Sequence, residues 1–233
     1  MKIALFAISE INQGKHNIKD ARLDQVEKLA KAKKKTYFQV ETVGEDAALE
    51  ADAILAADSS RTDLILKDLE FVETRLGRAE TEAEKALLGK LKSALEKEQF
   101  IISLSLTPDE IQAMAGYNLL TNKPVVMAAK EELEIADELL FKAVKEGGFI
   151  SFLTAGEKEA RAWLIKNGTT AWEAAGAIHS DIQQGFIRAE IISFNDYIAC
   201  GGETAAKQQG KMRLEGKEYL MQDADLANFR FNK

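Results

Sequence analysis

Apolar residues in the first quarter of the chain occur both as short continuous runs and at helical spacing. An apolar run over residues 3–8 predicts a buried strand. Leu23, Val26 and Leu29 recur with Lys and Arg between them, which predicts an amphipathic helix over residues 20–33. Further strands are predicted over residues 37–43 and 52–57. This order of elements predicts an α/β region.

A leucine-rich pattern follows over residues 62–98. Two helical stripes are visible, formed by Leu66, Leu69, Val72, Arg75 and Leu76 and by Leu87, Leu88, Leu91 and Leu95. Between them Thr81 is expected to cap the second helix, with Glu84 completing a capping box. The pattern predicts a two-helix hairpin with coiled-coil character.

The α/β pattern resumes after the hairpin. Strands are predicted over residues 100–104 and 123–129, and Thr107-Pro108 predicts a helix start. A helix over residues 131–146 is expected to end at Gly147-Gly148, where we place a domain boundary.

Residues 149–233 are richer in glycine and in β-branched segments. Strands are predicted over residues 149–154, 188–194, 217–221 and 228–232, with one helix over residues 171–178. This pattern predicts a small α+β domain with a mixed sheet.

Composition narrows the function classes. The chain has 233 residues and a formal net charge of −7, which does not favour a general nucleic-acid coat. A single cysteine, Cys200, excludes an intrachain disulfide, and with two histidines it argues against a structural zinc site. We see neither a signal peptide nor a membrane span and expect a cytoplasmic protein without metal.

Dense, ordered motifs in the last third of the chain carry a family resemblance. They are Phe152-Leu-Thr-Ala-Gly-Glu-Lys-Glu-Ala-Arg-Ala-Trp163, Gly168-Thr-Thr170, Ala174-Ala-Gly-Ala-Ile-His-Ser-Asp181, Gly185-Phe-Ile-Arg-Ala-Glu-Ile191, Gly201-Gly-Glu203, Gly210-Lys-Met-Arg-Leu-Glu-Gly-Lys-Glu-Tyr219, Gln222-Asp-Ala-Asp225 and Phe229-Arg-Phe-Asn232. This part resembles the C-terminal TGS (DUF933) domain of the YchF-type, Obg-related GTPase/ATPase family, which implies a β-grasp, ubiquitin-like fold. Ala224 departs from the glycine usual in the family.

The resemblance extends upstream with losses. Asp20-Ala-Arg-Leu-Asp24, the hairpin and Asn118-Leu-Leu-Thr-Asn-Lys-Pro-Val-Val-Met-Ala-Ala129 match family segments, but full-length members are longer in the nucleotide domain. The resemblance implies a shortened, degenerate P-loop-type α/β domain (residues 1–61 and 100–147). It also implies an inserted helical hairpin (residues 62–99) and a TGS domain (residues 148–233).

The phosphate-binding motif of the family is eroded in this chain. A P-loop needs glycines, a Lys for the phosphates and a Ser/Thr hydroxyl for Mg²⁺. The matching stretch, residues 9–17, keeps Gly14 and Lys15, but Ser9 replaces the first glycine and His16 replaces the hydroxyl residue. The P-loop helix and switch I are expected to be deleted.

Two further motifs are damaged. Switch II is represented at best by Glu41-Thr-Val-Gly44, and the base-recognition asparagine is replaced by Lys130. The remnant nucleotide-binding set is therefore Gly14, Lys15, Glu41 and Gly44, and we expect no catalytic residue.

The remaining candidates have ordinary structural interpretations. His179 is expected to be a packed or turn-stabilising histidine, and Cys200 an unreactive thiol. Trp163 and Trp172 are expected in the core or at an interface.

Three functions stay open. The favoured one is a non-catalytic adaptor without a cofactor that contacts ribosome, RNA or protein, but neither membrane nor DNA. Its partner-binding candidates are Lys158, Arg161, Arg188, Lys211 and Arg213, and residues 28–35 are the densest basic run. The alternatives are residual GTP or ATP binding with Mg²⁺, and self-assembly through the hairpin.

Overall fold

A computed structural model describes residues 1–232. The strands are β1 (Lys2–Phe6), β2 (Gly14–Asn17), β3 (Lys35–Thr36), β4 (Gln39–Val43), β5 (Ala53–Ala57), β6 (Val125–Ala128), β7 (Phe149–Ala155), β8 (Ala160–Lys166), β9 (Phe186–Ile192), β10 (Arg213–Glu215) and β11 (Leu226–Phe231). The helices are α1 (Ala21–Ala30), α2 (Arg61–Leu76), α3 (Glu82–Glu96), α4 (Pro108–Ala113), α5 (Ala136–Glu146), α6 (Ala171–Ile178), α7 (Ser180–Gln184), α8 (Phe194–Cys200) and α9 (Glu203–Gln208). Short 3-10 turns occupy Glu45–Glu50, Asp58–Ser60, Ile101–Ser103, Leu120–Asn122 and Glu132–Glu134.

The chain forms two compact units that interleave in sequence. The first unit comprises Met1–His16 and Val40–Gly147, and the second comprises Asn17–Gln39 and the chain from Gly148 onward. Residues 17–39, which the sequence analysis groups with the N-terminal domain, therefore belong to the C-terminal unit. A local hydrophobic pattern does not show which distant sheet a helix covers.

The first unit is built on a five-stranded sheet of order β2-β4-β1-β5-β6. Strand β1 pairs in parallel with β4 and β5, and β5 pairs in parallel with β6. Ala4, Phe6 and Ile54 are buried on this sheet together with Leu64 of α2, as the apolar runs predict. Helix α5 packs against β5 and β6. The carboxyl ends of β1, β5 and β6 therefore meet at one sheet edge.

Helices α2 and α3 form the predicted hairpin. The predicted stripe of α2 is confirmed at Val72, which is buried, and at Leu69 and Leu76, which pack half-buried against the same cluster. Leu66 is 53% exposed and Arg75 is exposed, and Leu64, Ile65 and Asp68 are buried instead. Thr81 caps α3 by accepting the Glu84 N–H, but the box is not completed. The Glu84 carboxylate instead accepts hydrogen bonds from Arg75 and Tyr117, which connect α3 to α2 and to the segment after α4.

The second unit is built on a six-stranded sheet of order β10-β9-β11-β7-β8-β3. The central strands β11 and β7 are parallel, while β7 with β8, β11 with β9 and β10 with β9 are antiparallel. Phe152, Ala175 and Phe229 lie in one apolar cluster between this sheet and α6. Thr170 and Glu173 form a complete capping box at the start of α6. The predicted mixed α+β unit is therefore present.

Arg22 connects helix α1 to the sheet of the second unit. The Arg22 guanidinium contacts the Asp20 carboxylate at 2.7 Å and the Asp223 carboxylate at 2.7 Å, and it is only 22% exposed. Asp20 also accepts the Arg22 N–H, which caps the helix. Because Asp223 accepts the Ser151 N–H of β7, the ion pairs connect α1 to the sheet.

Three predicted elements differ from the structure. Residues 100–104 are not a strand: Ile101–Ser103 form a 3-10 turn that buries Ile101. The predicted helix over residues 131–146 begins only at Ala136, after a separate turn. Residues 217–221 contain one isolated bridge, Thr170 to Leu220, and no strand. Among the described residues, no helix has both the length and the apolar character needed to cross a membrane.

Candidate functional site

The stretch that corresponds to the phosphate loop follows β1 at the carboxyl edge of the first sheet. Residues 7–13 form an open loop, and the chain then enters strand β2. A P-loop instead leads into a helix whose first N–H groups face the phosphates. In this chain the segment after the loop is not a helix: it is the edge strand β2, which pairs with β4.

Two N–H groups of this loop are already bound to carboxylates of the protein. The Ala7 N–H donates to Glu45 Oε1 at 2.8 Å, and the Ser9 N–H donates to Glu10 Oε2 at 2.9 Å. Hydrogen bonds from the backbone N–H groups of Glu10 and Ser9 lower the pKa of the Glu10 carboxyl. Lys67 lies 3.4 Å from the other carboxylate oxygen of Glu45. The loop therefore holds two negative charges at donors that a phosphate would need.

The same arrangement recurs at the end of β6. The Ala129 N–H donates to Glu132 Oε2 at 2.7 Å. Lys130, which replaces the base-recognition asparagine, is exposed, and its positive charge contributes to the lowered pKa of Glu10. The sequence motifs did not indicate the roles of Glu45 and Glu132. The spacing of Glu132, three residues after Ala129, was a local signal of such a contact.

Gly14 and Lys15 lie on β2, at the edge of the sheet. Gly14 has a φ of 128°, a conformation that favours glycine, and Lys15 is exposed. His16 Nε2 lies 2.8 Å from the Asn12 carbonyl oxygen, which only accepts, so this nitrogen carries the proton. It also lies 3.0 Å from the Thr42 hydroxyl. His16 thus fastens β2 to the loop and to β4.

Glu41 and Gly44 are separated along β4. Glu41 is exposed in the strand, whereas Gly44 follows its end and lines an open depression beside Ala7, Ser9 and Gln13. A Cβ at Gly44 would lie 2.8 Å from the Gln13 side chain. Of the four predicted remnant residues, the structure places only Gly44 in this depression.

The five partner-binding candidates are distributed over the second unit. Arg161 lies on β8, Arg188 on β9 and Arg213 on β10, while Lys158 is in the turn between β7 and β8. Strands β8 and β10 are separated by three strands, a distance of about 19 Å at the usual strand spacing. The structure therefore brings Lys158 and Arg161 together but separates them from Lys211 and Arg213.

The basic residues near β10 are paired with acids. Lys211 lies 3.2 Å from Asp196, and Arg213 lies 3.7 Å from both Glu215 and the buried Asp225. Arg213 also donates to the Tyr219 hydroxyl, which in turn donates to Asp225 at 2.7 Å. Burial and the Asp225 carboxylate raise the pKa of Tyr219 to about 12. These contacts use Arg213 to hold the 216–225 loop.

The remaining candidates have local partners. His179 Nδ1 accepts the Asp181 N–H at 3.1 Å and so caps α7. Cys200 Sγ contacts the Gln209 side chain at 3.4 Å. Trp163 donates to Thr154 and stacks on Phe152, whereas Trp172 is 39% exposed.

Comparison with known proteins gives a consistent set of relatives. The family model YchF-GTPase_C, described as a protein of unknown function (DUF933), matches residues 149–232. The "Ribosome-binding ATPase YchF" of Bacillus subtilis is 33% identical over 246 residues, which cover 78% of this chain and 67% of the relative. The protein of the same name from Pasteurella multocida is 33% identical over 237 residues, covering 75% of this chain and 65% of the relative. The chain thus spans about two thirds of these relatives.

A solved structure supports the fold over almost the whole chain. The Schizosaccharomyces pombe YchF GTPase superposes with a TM-score of 0.73, covering 99% of this chain and 97% of that chain. The sequence identity is 20%, so this likeness concerns the fold alone.

Proposed function

This chain belongs to the YchF family, and from that premise we propose that it is a non-catalytic, ribosome-associated adaptor. The curated relatives are named ribosome-binding ATPases. We propose that this chain also binds the ribosome and is located in the cytoplasm. We do not propose ATPase activity for it, because the residues at the phosphate loop oppose nucleotide binding.

One observation supports the proposed absence of catalysis: protein carboxylates occupy two backbone donors of the loop after β1. Glu45 binds the Ala7 N–H and Glu10 binds the Ser9 N–H. A triphosphate would have to displace both carboxylates, and it would meet their charges in doing so. Phosphoryl transfer depends on positioning and on charge stabilisation. A loop that repels phosphate provides neither.

Calorimetric titration with ATP and with GTP, each with Mg²⁺, tests this proposal. We expect no saturable heat at millimolar nucleotide. Micromolar binding that is lost in Lys15→Ala, but kept in the exposed control Lys19→Ala, would support residual nucleotide binding instead. Binding with turnover would contradict the proposal entirely.

Co-sedimentation with ribosomes tests the partner. The intact protein is expected in the ribosomal pellet without added nucleotide, since the proposed contact needs none. A protein that stays in the supernatant at low and physiological salt would exclude ribosome association. If the protein associated with ribosomes only in the presence of ATP, the result would instead support a nucleotide-dependent function.

We further infer that the second unit is a β-grasp domain. The inference is supported by two central parallel strands, β7 and β11, with antiparallel neighbours on both sides. Helix α6 lies across one face of this sheet. An experimental structure of the unit tests the assignment.

A further inference from the structure

Two segments that are distant in sequence form one cationic surface on the second unit. The first segment, residues 28–35, reads Lys-Leu-Ala-Lys-Ala-Lys-Lys-Lys and contains no acidic residue. The second is the turn and strand that carry Lys158 and Arg161. The Lys33 N–H donates to the Glu157 carbonyl at 3.0 Å, and the Ala160 N–H donates to the Lys34 carbonyl at 2.9 Å. Strand β3 then pairs with β8, placing Thr36 beside Arg161.

Most charges of this surface are not neutralised by the protein. Lys28, Lys31 and Lys33 are exposed and form no ion pair with any residue between 1 and 232. Glu159 forms an ion pair with Lys34 and accepts a hydrogen bond from the Thr36 hydroxyl, and Asp24 forms an ion pair with Lys35. Glu157 is the remaining acid of the turn. The lysines thus keep most of their positive potential in a chain of net charge −7.

Arg161 adds a fixed donor group to the surface. Its guanidinium lies 4.0 Å from the centre of the Trp163 ring, a stacking contact that limits its motion. Within the described chain it makes neither a hydrogen bond nor an ion pair, and its charge contributes to the lowered pKa of Glu159. A stacked, unpaired guanidinium beside several lysines is suited to phosphate oxygens.

We propose that Lys28, Lys31, Lys33, Lys158 and Arg161 form a surface that binds the phosphate backbone of RNA. The occupant is RNA and not an acidic protein, because the curated relatives are ribosome-binding by name and lysine clusters suit a regular row of phosphates. This inference rests on the proposed ribosome association and assigns it to one surface of the second unit. The set joins the densest basic run to two of the five predicted partner-binding residues, and it leaves out Lys211 and Arg213, which are paired with acids.

Fluorescence anisotropy with a labelled 20-nucleotide single-stranded RNA, and with a duplex of the same length, tests the proposal. Lys31→Glu/Lys33→Glu is expected to lower affinity about tenfold or more at low salt and to reduce the slope of log K against log salt by about 1.4 for the single strand. The matched control, Lys207→Glu/Lys217→Glu, makes the same charge change at exposed positions elsewhere in the unit. It is expected to bind nearly as well as the parent chain.

The neutralising variant Lys28→Gln/Lys31→Gln/Lys33→Gln keeps the test valid if charge reversal perturbs folding. Equal losses in the patch and control variants would overturn the proposal, since only net charge would then matter. The proposal would also be overturned if the intact protein did not bind RNA, or if it bound poly-glutamate more tightly than RNA. Patch variants that still co-sediment with ribosomes would reject this surface and leave the adaptor function standing.

Discussion

At the scale of single residues, buried charges in the second unit are held by specific partners. Glu190 on β9 is buried and accepts hydrogen bonds from Arg230 at 3.0 Å and from Asn228 at 3.1 Å. The Arg230 hydrogen bond lowers the pKa of Glu190. An ionised carboxylate therefore stabilises the folded state relative to the unfolded chain.

Glu190→Gln is expected to destabilise the protein at neutral pH by about 1 kcal/mol, a modest value because Arg230 is half exposed. Because the folded pKa is depressed, this contribution is present above the unfolded pKa, about 4.3, and is lost as pH falls through the folded pKa. Urea unfolding at pH 7 and at pH 3.5 measures the difference, with the exposed Glu218→Gln as control. A difference that stays constant with pH would show that packing, and not ionisation, is responsible.

Arg22 has a larger role, since its two carboxylate partners lie on either side of the α1–sheet contact. Arg22→Lys keeps the positive charge but loses the planar fork that reaches Asp20 and Asp223 together. We expect a loss of about 2 kcal/mol, because two carboxylates would lose their best partner. Hydrogen exchange should show faster opening of α1 than in the exposed control Gln25→Ala. Unchanged exchange in α1 would mean that apolar contacts alone hold the helix.

At the scale of elements, apolar patterns predicted what was buried more reliably than the local conformation. The runs that became β1, β5 and β6 are flanked by turn residues and have the length of a strand. Residues 100–104 have the same apolar character, but Ile101 is buried from a 3-10 turn. In residues 217–221, Tyr219 and Met221 reach inward from a loop that Asp225 holds in place. Such contacts join residues across turns, and a periodicity of side chains cannot reveal them.

The hairpin is attached by a buried carboxylate that no hydrophobic pattern indicates. Asp68 of α2 accepts the Leu120 N–H at 2.8 Å, the Thr121 N–H at 2.7 Å and the Thr121 hydroxyl at 2.6 Å. Asp68→Asn replaces one acceptor oxygen by a donor that faces these donors. We expect a loss of about 1–3 kcal/mol in thermal or urea unfolding. The exposed neighbour Asp63→Asn is the control, and equal effects of the two variants would argue against a specific clamp.

At the scale of the whole molecule, the sequence resemblance gave the family and the two-part α/β and α+β composition. It did not give the membership of residues 17–39, because the pairing of β3 with β8 joins positions more than 120 residues apart. The candidate site was also only partly predictable. Missing glycines and hydroxyls were visible in the sequence, whereas the Glu45 carboxylate at the Ala7 N–H was not, because the two residues are 38 positions apart.

A fragment of residues 148–233 is expected to fold poorly, because it lacks α1 and β3. Leu23 and Val26 are buried in the intact unit, and without them apolar surface of the sheet would be uncovered. The matched fragment joins residues 17–39 by a flexible linker to residues 148–233. Circular dichroism and NMR line shapes should show a cooperative fold only in the joined fragment. A well-dispersed spectrum from residues 148–233 alone would contradict the assignment.

The interleaving of the two units has a consequence during synthesis. Residues 17–39 leave the ribosome early, but their partner strands β7 and β8 follow more than 100 residues later. At roughly 5–20 residues per second, α1 waits on the order of ten seconds for the sheet it covers. In that interval its amphipathic sequence is exposed and open to chaperones and proteases. Silent codon changes that slow translation between residues 40 and 148 are therefore expected to lower the yield of folded protein while leaving its equilibrium stability unchanged.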